Sequence, residues 1–428
     1  MPLCYPEPHT RGTDLTDRLY YHDSFLREFD AAVISCEQQQ GRWRVLLDKT
    51  AFYPTSGGQP HDLGKLGQAD VVEVVDATTV SEPGFEQKVI HYTSAAVPLG
   101  PIHGQVDWPR RIDHMQQHTA QHLLSAAFIE LFGFQTVSFH LGRELSTIDL
   151  TAPSMTARHL EEAERRTNEI IFEDRPIVIR FGTAQQLSDA GIRKKLERQG
   201  LLRAIEIEGF DRQPCGGTHL ARTGQASLVL IRKLERRRDA WRIEFVAGYR
   251  ALAAARADFA TVSGVANQLS CGFPDISAGI AKIMEQRREQ FGAMKRMEER
   301  LAELEAHALS CDTEESKREP GAASEGAGAV RIVAAMVPAG SPAYLGLLAA
   351  KLAAMKNTVA LLVSADDGHI VFAQTKSLPG DVGSLLRECL KQFGGKGGGS
   401  KDFAQGNLPN VKDAETLLKR AREELLRK

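Results

Sequence analysis

A chain of 428 residues is long enough for two or three domains with cores of their own. Its 42% hydrophobic and 25% charged content excludes a disordered chain, and no stretch approaches the length needed to span a bilayer. A formal charge of −2 gives no overall basicity, so any contact with nucleic acid would have to come from local basic patches.

In chain order, residues 1–14 are Pro-rich and polar and predict a loose tail. The opening MPLCYPEPHTRGTDLT lacks the apolar segment of a secretory leader, and six cysteines at 4, 36, 215, 271, 311 and 389 show no paired spacing. Reduced thiols in a cytoplasmic protein are the expectation. From 15 to 105, short β-leaning runs (AAVIS, WRVLL, ADVVEVV) alternate with Gly/Pro turns, which predicts a strand-rich, barrel-like domain. Residues 106–250 mix expected helices at 114–132 and 155–171 with strands at PIVIRF, AIEIEG, SLVLIRKL and WRIEF, an α+β pattern. Residues 251–311 turn helical, with Met294, Met297, Leu301 and Leu304 at three- and four-residue spacing among Glu and Arg. A spacer helix packed on its own domain and a homodimer seam through 278–307 both satisfy that spacing. The charged, then Gly/Ala/Ser-rich run at 312–329 reads as a flexible linker. Residues 330–428 read as a small C-terminal α/β domain, the other place where a homodimer could form. The expected fold is therefore α+β throughout.

The chemistry concentrates in two short motifs. His118 and His122 stand four apart in MQQHTAQHLL, and Cys215 and His219 stand four apart in QPCGGTHL. On a helix, positions i and i+4 share a face, so two imidazoles can converge on one ion. A thiolate and a third nitrogen complete a tetrahedral set suited to Zn²⁺, and the two glycines allow the tight turn that brings Cys215 and His219 together. A closed site that only staples the domain and a site in which one donor, such as His219, is displaceable both remain open. In TVSFHLG, Ser138 and His140 share a strand face and would line a pocket, bind the ester end of a substrate, or sit in the core.

HTAQHLL followed by CGGTH resembles the editing domain of alanyl-tRNA synthetases and the free-standing AlaX-type alanyl-tRNA editing proteins. FYPTSGGQP at 52–60, TVSFHLG at 136–142, the segment 190–211 and RIEFVAGYRAL match in the same order, and GGKGGGSKDFAQG resembles the DHH-associated C-terminal domain. The chain is similar to the long AlaX type from about Leu15 to its end. The resemblance implies a zinc in the substrate pocket, with Thr50 and Gln59 beside the amino acid and the backbone of Gly57 and Gly58 lining it; Ser56 interrupts what is often a fuller glycine run. It implies hydrolysis of tRNA(Ala) mischarged with serine, and of the glycine ester as a second substrate, without ATP use or aminoacylation. A site built to hydrogen-bond the serine hydroxyl leaves its own polar groups unpaired with alanine. Contacts to tRNA are expected at Arg193, Lys194, Lys195, Lys396 and Lys401, with the run Arg236, Arg237, Arg238 as either a phosphate contact or a solvated face. GGKGGGS at 394–400 reads as a glycine-rich loop whose amides and lysines would suit a phosphate, but it lacks the order of an ATP loop. The rival expectation is a non-catalytic tRNA-binding protein with a structural zinc.

Overall fold

The computed structural model describes residues 16–77, 88–189, 191–192, 201–312, 330–338 and 341–427. The expected tail, the basic residues Arg193, Lys194 and Lys195, and all of the expected linker except Asp312 lie outside the described residues. The chain divides into two compact units, Met1–Gly264 and Val265–Lys428.

The first unit opens with β1 (Asp17–Arg18), β2 (Glu28–Gln39), β3 (Arg42–Leu47), β4 (Lys49–Thr50), β5 (Gly64–Leu66), β6 (Ala69–Asp76), β7 (Val89–Thr93) and β8 (Gly100–Val106). Six of these close into a barrel in the order β2-β3-β7-β6-β5-β8. Alternation along the strands turns Val33, Val45, Leu47, Val71, Val74 and Val106 inward, where Phe52 and Leu66 join them. Closure leaves the barrel no unpaired edge. The barrel-like expectation is thus met by a closed barrel.

Beyond it runs α1 (Trp108–Phe132). It begins six residues earlier than the expected 114–132, because the Asp107 carboxylate accepts the Arg110 N–H and Pro109 suits the first turn. Gly133, at φ 71°, ends it in the left-handed conformation. Residues 114–120 and 122–128 are all buried, so this is a central helix rather than a surface one. It packs on a sheet ordered β14-β15-β10-β9, made from β9 (Gln135–Leu141), β10 (Ser146–Thr151), β14 (Val229–Arg236) and β15 (Trp241–Ala247). Leu123, Leu124, Phe128, Ile148, Phe245 and Ile243 form the shared core. The helix α2 (Ala157–Phe172), capped by Thr156, covers α1. A second antiparallel sheet holds β11 (Ile177–Gly182), β12 (Leu202–Ile207) and β13 (Asp211–Pro214), with the short α3 (Ala184–Asp189) beside β11.

The expected helical stretch at 251–311 is two helices, α4 (Gly248–Leu269) and α5 (Ile276–Asp312), separated at Ser270 (φ 52°) and a 3-10 turn over Phe273–Asp275. The unit boundary falls inside α4 rather than at 250 or 311. In the second unit, α5 packs through Ala302 and Ala306 against Val333, Leu345 and Leu348, while Met294, Met297, Leu301 and Leu304 stay exposed. The sheet there is ordered β16-β17-β18-β20-β19, from β16 (Arg331–Val337), β17 (Thr358–Ser364), β18 (His369–Gln374), β19 (Lys396–Gly399) and β20 (Phe403–Asn407). It is covered by α6 (Pro342–Ala353), α7 (Val382–Gln392) and α8 (Ala414–Arg427). GGKGGGS is therefore not a loop: most of it is the edge strand β19. A Cβ on Gly397 would come within 2.6 Å of Leu390 and one on Gly399 within 2.4 Å of Ala404, so close packing accounts for these two glycines. Among the described residues, no helix is long and apolar enough to cross a membrane.

Candidate metal centre

One turn of α1 separates His118 from His122, and the loop leaving β13 carries Cys215 and His219 to them. The four donors lie within 4.8 Å of one another. Cys215 Sγ is 3.4 Å from His118 Nε2 and 3.2 Å from His219 Nε2. An ion about 2.3 Å from sulfur and about 2.0 Å from nitrogen would hold tetrahedral donors roughly 3.3–3.6 Å apart, so the donor set and its spacing fit such an ion. The three histidines are buried and Cys215 is half-buried.

Each imidazole is held from its far side. His118 Nδ1 lies 2.8 Å from Gln59 Oε1, and His219 Nδ1 lies 3.3 Å from Thr119 Oγ1. His122 Nδ1 lies 3.5 Å from Asp211 Oδ2, a separation of ion-pair type between two buried groups. The Gln59 amide is engaged at both ends: Oε1 also accepts the Thr218 N–H at 3.2 Å, and Nε2 donates to Thr218 Oγ1 at 2.8 Å. Since Oε1 already accepts one amide hydrogen, His118 must carry its proton on Nδ1, which leaves Nε2 as a lone pair facing the cluster.

Electrostatics favour the ligand forms at Cys215 and His219. Burial alone would push the Cys215 thiol up, but the imidazoles of His118 and His219 beside it, and its hydrogen bonds with His118 and His122, hold it well below the usual thiol range. Burial, reinforced by the neighbouring His118 imidazole, holds His219 well below the usual imidazole range and so favours its neutral form. At His122 burial opposes the cation, yet Asp211 and Cys215 outweigh it and raise the group to about 9.

The barrel loop reaches the cluster through a two-residue turn. Ser56 and Gln59 exchange backbone bonds of 3.1 and 2.9 Å around Gly57 and Gly58, whose φ values of 55° and 85° suit a mirror-image hairpin turn. A Cβ on Gly58 would stand 2.7 Å from the Phe139 carbonyl, and the Leu141 N–H donates to Gly58 O at 3.0 Å. Beneath, the ion pair of Arg111 and Asp62, with both side chains fully buried, anchors the rest of the loop through the Tyr53 N–H.

Gln59 thus meets the donor cluster directly, and Gly57 and Gly58 form the turn that carries it there, Gly58 against Phe139; the structure places the other expected residues as follows. Thr50 is fully buried in the barrel, its hydroxyl 2.8 Å from His91 Nε2 and accepting the Phe52 N–H at 3.1 Å. Ser138 and His140 do share a face, but it is the exposed one. Phe139, between them, stacks on His118 at 5.3 Å between centroids, so strand alternation turns its neighbours away, and Ser138 bonds Asp149 at 2.5 Å. Lys396 and Lys401 are exposed in the second unit; Arg237 pairs with Glu235 at 3.3 Å, and Arg236 stacks on Trp241. Sequence reasoning missed Asp211, Thr119 and Phe139, whose partners are set by tertiary packing. The one signal was that Thr119 adjoins His118 and Asp211 closely precedes Cys215.

Two family models match parts of the chain: the "DHHA1 domain" over residues 330–426 and the "Threonyl and Alanyl tRNA synthetase second additional domain" over 202–244. "Alanyl-tRNA editing protein AlaX-L" of Pyrococcus horikoshii is 27% identical, the match covering 92% of this chain and 95% of that one. "Alanyl-tRNA editing protein Aarsd1" of Mus musculus is 30% identical over 62% of this chain and 67% of its own. "Alanine--tRNA ligase" of Pyrococcus furiosus is 30% identical over 96% of this chain, which spans only 44% of that larger protein.

Proposed function

The chain belongs to the alanyl-tRNA editing protein family, and from that premise we propose that it hydrolyses the ester of serine, and secondarily of glycine, on mischarged tRNA(Ala). The observation that carries this reading is the convergence of His118, His122, Cys215 and His219, with each imidazole oriented from behind. These four side chains would hold one Zn²⁺, which when bound supplies Lewis acidity and an anchoring point for the aminoacyl group.

The chain's own groups do the rest. Gln59 fixes the His118 tautomer, and Phe139 shields that ring from water on one face. The loop amides of Cys215, Gly217, Thr218 and His219 are already engaged, with Arg203 O, Cys215 Sγ, Gln59 Oε1 and Ser24 Oγ. Gly216 is the exposed residue of the loop, and with no partner for its N–H among the described residues it could donate to a carbonyl oxygen as negative charge develops there. Water is the nucleophile, since Cys215 and the histidines are committed as ligands.

A closed set of four protein donors also suits a structural ion, which favours one rival: a tRNA-binding protein without catalysis. Deacylation of serine-, glycine- and alanine-charged tRNA(Ala), with and without chelator, separates the two. Serine release that stops on chelation is expected; binding without hydrolysis would establish the rival.

A further inference from the structure

Arg203, on β12, is 8% exposed and lies under the loop that carries Cys215. Its carbonyl accepts the Cys215 N–H at 3.2 Å, while its Nη1 donates to the Cys215 carbonyl at 2.6 Å and to the Gly217 carbonyl at 2.9 Å. One residue therefore grips Cys215 at both its N–H and its C=O. Nε reaches further, to the Tyr21 carbonyl at 3.0 Å, and ties the loop to the first segment of the chain. Within the same loop the Gly217 N–H donates to Cys215 Sγ at 3.4 Å. A lysine could not make this set of bonds, because its ammonium is a point charge on a flexible stem rather than a planar fork.

We propose that Arg203 is a positioning residue of the metal centre: it sets the main chain at Cys215 and Gly217 so that Sγ faces the three imidazoles before an ion arrives. The inference rests on the metal-binding reading above. It assigns Arg203 no contact with the ion or the substrate.

The test uses full-length wild type, Arg203→Gln and Arg203→Lys, each stripped by chelation and titrated with Co²⁺. Affinity is read by chelator competition, thiolate-to-cobalt absorption by spectroscopy, and alkylation of Cys215 in the stripped proteins by peptide mass spectrometry. Arg203→Gln is expected to bind Co²⁺ roughly 10- to 100-fold more weakly, to shift the thiolate band and to alkylate faster at Cys215. Arg203→Lys, which keeps the charge without the fork, should recover only part of the affinity and still show an altered band. A merely structural arginine would lower the melting temperature and leave the band of the folded fraction unchanged. Wild-type affinity, absorption and alkylation in both variants would overturn the proposal. If the glutamine variant does not fold, the lysine variant decides by the same readouts. Failure of the wild type to bind Co²⁺ or Zn²⁺ is a separate result, and it would remove the metal reading itself.

Discussion

Gln59 Oε1 lies 2.8 Å from His118 Nδ1 and also takes the Thr218 N–H, so one amide of the barrel loop holds both halves of the donor cluster. Gln59→Leu keeps the bulk and removes every one of these bonds. Metal affinity should fall roughly 10- to 100-fold. Stability should fall by about 1–3 kcal/mol, because buried donors lose their partner. Chelator competition and urea unfolding measure the two effects; unchanged affinity would show that the amide does not orient the ligand.

Adjacent glycines should behave differently. A Cβ at Gly217 would stand 2.2 Å from His118 Cε1 and 2.9 Å from Gln59 Oε1, whereas one at Gly216 meets nothing closer than the Tyr21 hydroxyl at 3.5 Å. Gly217→Ala should therefore cost roughly tenfold or more in metal affinity by displacing the ligand, and Gly216→Ala should leave it near wild type. Equal affinities in the two variants would mean that the loop moves freely against α1.

Thr50→Val reads out the barrel rather than the metal. Loss of the hydroxyl strands His91 Nε2 and the Phe52 N–H in a fully buried site, so stability should drop by about 1–3 kcal/mol. The ratio of kcat/KM for serine and alanine esters should stay at its wild-type value. A changed ratio would put Thr50 against the amino acid after all.

The same pair gives a pH dependence. Burial lowers His91 from 6.5 to about 4, partly offset by a bond with the Val45 backbone. Below pH 6.5 the unfolded chain takes up a proton that the folded barrel refuses until about pH 4, so stability declines across that window as pH falls. His91 can account for up to roughly 3 kcal/mol of the decline. His114, lowered to about 3 by burial and by Arg110, Arg250 and Arg111, acts in the same direction. Urea midpoints at pH 7 and pH 5 should converge in His91→Gln relative to wild type; parallel losses would absolve His91.

For the C-terminal unit, the division at 264/265 is the place to cut, since removing 330–428 alone would strip Ala302 and Ala306 of their cover. A 1–264 fragment should keep its metal and bind tRNA more weakly, with a flatter salt dependence and a raised KM. Identical binding across a salt series would make the second unit a stability or association module.

The four donors were legible because their chemistry lies in two local spacings that survive whatever the rest of the chain does. The barrel and the α+β layering were legible for a related reason: alternation and turn residues are local signals. Gln59 was recognisable as a site residue, but not as the partner of His118, since that contact depends on how the barrel loop meets α1. Arg203 carries no spacing at all, and Thr119 and Asp211 carry only their nearness in sequence to His118 and Cys215. For Ser138 and His140 the shared face was readable and its direction was not, because only the packing of Phe139 on His118 decides which side of β9 looks inward. GGKGGGS misled because glycine that admits a close neighbour and glycine that frees a loop look alike in one dimension.

The bond between Gln59 and Thr218 joins positions 159 residues apart. A chain leaving the ribosome exposes its barrel strands and α1 well before Cys215 and His219. His118 and His122 must therefore wait, as half a site, while the intervening sheets are made. The full donor set exists only once residue 219 has been made, so nascent chains released before it should emerge without bound metal. Occupancy of the centre would serve a cell, or an experimenter, as a stamp that synthesis has passed residue 219.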